Sequence, residues 1–136
     1  MREVRFRAWD VERYKMRYGC DNLLVGLDGT LFWNFAYNCE VLGTQERAGY
    51  WLMQWTGLKD KNGVDVYEGD ILLHDGGELP KEKWSRSVVI FDDGAFLSQP
   101  DYAIKTKRTV YWELDLYASE VIGNIYENPE LLEDWK

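Results

Sequence analysis

The chain has 136 residues, 24 acidic against 16 basic, and a formal net charge of −8. That length suits one domain, which buries roughly two-thirds of the surface its unfolded chain exposes. Seven Trp, nine Tyr and five Phe exclude disorder, and no apolar run approaches the roughly 20 residues of a membrane span.

Met1-Arg2-Glu3-Val4-Arg5 lacks the apolar stretch of a signal peptide, so a cytoplasmic protein is expected. The segment Val4 to Asp10 alternates with period two. Val4, Phe6 and Ala8 are predicted on a buried face, with Arg5, Arg7 and Trp9 opposite. Leu23 to Leu27 and Thr30 to Trp33 flank Asp28-Gly29, a strong hairpin signal because Gly accepts positive φ. Helix, strand and loop signals conflict from Asn34 to Gly49, which is predicted as an irregular connection. Tyr50 to Trp55 is apolar on both faces, as a central or partner-covered strand would be.

Asp60 to Gly63 reads as a turn, Val64 to Tyr67 as a return strand, and Glu68-Gly69-Asp70 as a second turn before Ile71 to Leu73. In that second turn the Asp70 carboxylate is expected to accept a neighbouring backbone N–H. Asp75 to Trp84 is a loop, and Ser87 to Leu97 a hairpin about Asp92-Asp93-Gly94. Tyr111 to Tyr117 alternates as a strand, with Trp112, Leu114 and Leu116 inward. Glu120 to Tyr126 is the last strand. A short helix follows, with Asn128 as N-cap and Pro129 in its first turn. Turns about every eight to twelve residues predict a mainly β fold. The expected architecture is one domain over 1–136: a small closed or partly open β-barrel over about 50–126, with added N-terminal strands and a short C-terminal helix.

The chemistry-bearing residues are sparse. Cys20 and Cys39 read as reduced, buried thiols. With the single His74 they leave a structural zinc site short of a ligand, so no metal or cofactor is expected. His74 is placed at a strand end facing water, without a role as base or relay. Asp92-Asp93 and Glu133-Asp134 read as turn and surface pairs. No nucleophile–base constellation, P-loop or dinucleotide fingerprint is present, so the chain reads as a non-enzyme.

Charge is distributed unevenly. Up to Arg17 there are six basic and three acidic residues, a charge of +3 that leaves −11 on the remainder. The basic residues there either pair with acidic neighbours in the same chain, meet an acidic patch on another subunit, or touch nucleic acid. A body at −11 repels phosphate, which disfavours nucleic acid as a partner. The aromatic run Trp51 to Trp55 carries no charge and fits a core or subunit interface. Arg2, Arg5, Arg7, Trp9, Trp51 and Trp55 are therefore the candidate interface residues, and a homo-oligomer or a complex with another protein is expected. The alternatives are nucleic-acid binding through the basic N-terminal strand and a carboxylate-dependent enzyme.

Three blocks carry a family resemblance: Met1 to Asp10, then Leu52 to Gly63 running on to Tyr67-Glu68-Gly69-Asp70-Ile71, and Val121 to Leu132. In this order they resemble the YopX family of phage and prophage proteins. That resemblance implies a bacterial, phage-encoded, cytoplasmic protein, with homo-oligomeric assembly or a host or phage protein as partner, and brings no catalytic residues. Gly57, Gly63, Gly69, Asp70, Gly123, Asn128 and Pro129 in those blocks are read as turn and cap residues. They mark a fold rather than a chemistry.

Overall fold

A computed structural model describes residues 3–19, 22–35 and 37–133. Arg2 and Cys20 lie outside the described residues. The chain is mainly β and forms two compact units. The first is Phe6–Met53; the second takes the chain from Gln54 onward, together with the segment ending at Arg5.

In the first unit, β1 (Phe6–Asp10) pairs antiparallel with β2 (Lys15–Tyr18). The buried Asp10 carboxylate organises their turn, accepting the Arg13 N–H at 3.1 Å and Arg17 Nε at 3.0 Å. Burial alone would raise its pKa, but the Arg13 N–H and the Arg17 and Arg13 guanidiniums outweigh this and hold it low. The Asp28-Gly29 hairpin is present as β3 (Leu23–Val25) and β4 (Leu31–Asn34). The stretch predicted to be irregular holds β5 (Cys39–Gly43), paired to β4, and α1 (Gln45–Ala48). Its strand signal was weak because β5 is a largely exposed edge strand. Thr44 Oγ1 caps α1 through the Arg47 N–H, and Gly49 ends it in the left-handed region at φ 75°.

The opening strand departs from its predicted faces. Ala8 is buried, but Val4 and Phe6 are exposed, while Arg7 and Trp9 are only 4% and 7% accessible. β1 lies between β2 and β6 (Tyr50–Lys59), which pair with its two edges, and burial of Ala8 on one face and of Arg7 and Trp9 on the other shows that both faces are covered as well. Ala8, Leu31 and Tyr50 form the core of this unit, with Leu23, Trp33, Leu42 and Leu52 packed around them.

In the second unit, the far half of β6 pairs with β7 (Asp65–Tyr67) around the Asp60 turn. Asp60 does more than shape that turn. Oδ1 accepts the N–H groups of Asn62 and Val64, while Oδ2 accepts that of Val121, 61 residues away, at 2.8 Å. Burial favours the protonated acid here, but these three backbone donors prevail and lower its pKa. At the second turn, Asp70 accepts the Tyr67 N–H at 2.8 Å, as expected.

Five antiparallel strands then form a half-barrel: β8 (Asp70–His74), β9 (Arg86–Asp92), β10 (Ala95–Pro100), β11 (Trp112–Glu113) and β12 (Ser119–Asn124). Their order is β11-β10-β9-β8-β12. Asp93 and Gly94, both at positive φ, make the β9–β10 turn. Helix α2 (Asp101–Lys105) follows β10, and α3 (Glu130–Glu133) closes the described chain. Val66, Leu72, Val89 and Leu116 fill the core.

Two expectations are corrected in this unit. Only Trp112–Glu113 of the predicted strand Tyr111 to Tyr117 pairs in the sheet, because the chain then crosses from β11 at one edge to β12 at the other. Asn128 does not cap α3 with its side chain. Leu131 and Leu132 donate instead to the Asn128 and Pro129 carbonyls, and Asn128 Oδ1 accepts the Asn124 N–H at 3.2 Å.

Candidate functional site

His74 is at a strand end, as predicted, but its ring turns inward. Its Nδ1 lies 2.9 Å from Ser119 Oγ and its Nε2 lies 2.6 Å from Ser87 Oγ. Ser119 Oγ donates its one hydroxyl proton to the Asp115 carbonyl, so it must accept from Nδ1–H. Nε2 is then the acceptor for the Ser87 hydroxyl. Three strands (β8, β9 and β12) are joined by this directed chain, with Trp112 edge-on to the imidazole at 5.5 Å. Burial lowers the His74 pKa, against the raising influence of Asp115 and Asp101. Burial also raises the Asp101 pKa. Ser87 is fully buried, so the pair that resembles a nucleophile and base faces the protein interior.

The candidate interface residues are scattered rather than gathered. Arg5 stacks on Trp55, 3.6 Å from guanidinium carbon to ring centroid, and pairs with Glu3 and Asp65. That is the same-chain pairing weighed above. Arg7 and Trp9 are buried in the first unit, and Trp51 is 37% exposed. Cys39, expected to be buried, is exposed on β5. Among the described residues no cluster of three or more His, Cys, Asp or Glu is placed to hold a metal ion, and no helix is long and apolar enough to cross a membrane.

Two open surfaces were not anticipated. On the β3–β4–β5 sheet, Leu24 pairs with Phe32 and Phe32 with Val41, forming one cross-strand apolar row. Leu24 and Val41 are exposed, Val41 at 65%. The alternation of Leu23 and Leu24 hinted at two apolar faces, but the conflicting signals after Asn34 hid Val41. In the second unit, Leu58 to Lys61 and Glu113 to Tyr117 line a groove of about 720 Å³. In sequence, Glu113 and Asp115 carry only the signal of a strand's outward face, alternating with the inward Trp112, Leu114 and Leu116.

A family model described as YopX protein matches residues 5–133. The crystal structure of protein EF1440 from Enterococcus faecalis is similar, with 30% identity, a TM-score of 0.61, and 97% of this chain and 99% of that chain covered. The X-ray structure of YopX from Bacillus subtilis is 26% identical over the whole of both chains, with a TM-score of 0.59. No curated protein matches. A family match over nearly the whole length, joined to the same mainly β architecture, settles the assignment: the chain belongs to the YopX family.

Proposed function

We propose that this chain is a cytoplasmic, phage- or prophage-encoded protein-interaction module that acts without catalysis and self-associates through the outer face of its β3–β4–β5 sheet. The observation that carries this reading is the cross-strand row Leu24–Phe32–Val41, half-buried at Phe32 and exposed at Leu24 and Val41. An apolar sheet face beside an open strand edge favours pairing with another chain. A second copy suits the charge. Phe6–Met53 holds five basic and six acidic residues, whereas the rest of the chain holds 11 and 18. A contact made by the nearly neutral unit carries little like-charge repulsion of its own, and a two-fold axis lets the same face serve both partners. The engagement of Arg5 with Glu3, Asp65 and Trp55, and the burial of Arg7, argue against the nucleic-acid alternative. The burial of Ser87 argues against an enzymatic one.

The test is solution mass by light scattering for the wild type and Val41→Glu, at low and high salt. The wild type is expected to be a salt-resistant oligomer and the variant a folded monomer. A monomeric wild type, or a variant of unchanged mass, would show the reading to be wrong.

A further inference from the structure

The groove in the second unit has the features of a strand-binding site. Its upper wall follows β11, the edge strand of the half-barrel, and continues in the alternating pattern of a strand without being paired as one. Leu116 is buried in the core with Leu114 packed on it, so the wall is anchored. Yet among the described residues Leu114, Asp115 and Leu116 donate no backbone hydrogen bond within the chain. The opposite wall, Leu58 to Lys61, is fixed by the Asp60 bridge and by the Lys61 N–H to the Ser119 carbonyl. Exposed Leu58 and Tyr117, the latter 96% accessible, add apolar surface along it.

The charges specify the occupant. Glu113 and Asp115 are exposed and have no ion-pair partner among the described residues. Of the two lysines on the opposite wall, Lys59 is neutralised by Asp65 at 2.8 Å, and Lys61 directs its Nζ to the Trp84 ring, 5.7 Å from the centroid. In an extended chain, residues two apart lie about 6.7 Å from one another, the repeat of alternate side chains on an added strand. The second unit as a whole is strongly acidic.

We infer that this groove binds an extended segment of a partner protein in which basic and apolar residues alternate, adding it as a strand beside Glu113 to Tyr117. The basic side chains meet Glu113 and Asp115, and the backbone meets the unpaired N–H groups. The surface and the partner both differ from those of the self-association proposed above, so the two readings stand or fall separately.

Fluorescence anisotropy of a labelled peptide of alternating Lys and Val tests this, with an alternating Glu and Val peptide and an N-methylated version as controls. The Lys–Val peptide is expected to bind the wild type. Binding should weaken about tenfold or more in Glu113→Lys combined with Asp115→Asn, which preserves the acceptor for the Tyr117 N–H. N-methylation of every second residue should abolish it, and Val41→Glu should leave it unchanged. No binding to the wild type, equal binding of the Glu–Val or N-methylated peptide, or indifference to the double substitution overturns the inference. So does a change in solution mass caused by Glu113→Lys, since a second copy would then be the occupant.

Discussion

Asn128 lies directly over Gly123: a Cβ built on the glycine would sit 2.5 Å from Asn128 Oδ1 and 2.7 Å from its Cγ. The same oxygen accepts the Asn124 N–H, and the β8–β12 register shifts between Val121 and Gly123. The glycine is thus required for close approach. It lets the asparagine fold back over the end of β12 and turn the chain toward α3.

Gly123→Ala is therefore expected to destabilise the protein by about 1–3 kcal/mol through overpacking. Asn128→Gly alone should also destabilise, by removing one acceptor. Combined, the two changes should cost clearly less than their sum, because the clash needs both side chains. Urea unfolding of the four proteins measures the coupling, and simple additivity would refute the contact.

Asp60 concentrates stability in one side chain. Removing a charged acceptor that serves three backbone donors in Asp60→Ala should cost about 3 kcal/mol. Because its folded pKa is depressed, its contribution is full above the unfolded value of about 3.9 and fades as pH falls through the lower folded value. Wild-type stability should therefore drop more steeply below pH 4 than that of the variant, as chemical unfolding across that range would record.

His74 gives a separate acid sensitivity. Its folded pKa lies below the unfolded value of about 6.5, so the unfolded chain takes up the proton first. Stability should begin to decline as pH falls through about 6.5 and level off once the folded ring also protonates. The carboxyls acting on this ring, Asp115 and Asp101, limit the loss without reversing it. His74→Gln should remove that slope while retaining a donor and an acceptor between Ser87 and Ser119. A slope surviving in His74→Gln would assign it to other groups.

The two N-terminal arginines should behave differently despite their shared sequence pattern. Arg5→Gln loses a partly exposed stack and two ion pairs, worth about 0.5–1 kcal/mol. Arg7→Glu reverses a buried charge and should cost about 3–5 kcal/mol. Thermal unfolding of both variants separates the cases, and equal losses would contradict the burial of Arg7.

The sequence by itself determined the local elements whose signals lie within a few residues. Asp28-Gly29 and Asp93-Gly94 specify their hairpins because the required backbone angles depend on the residues in the turn. Asp70 declares its turn for the same reason. The three family blocks were legible because they consist largely of such turns and the strands they join.

The tertiary structure decided what depends on distant neighbours. Arg7 and Trp9 are buried because β1 has covered faces, which their alternation could not reveal. Asp60 reaches Val121, and His74 reaches Ser87 and Ser119, only once the sheet brings those strands together. Tyr111 to Tyr117 has the pattern of a strand, but pairing requires an adjacent edge, and the crossing to β12 leaves its backbone open. The candidate surfaces were hidden for the same reason: exposure is the absence of a covering neighbour, and a chain read in order does not say which neighbours will arrive.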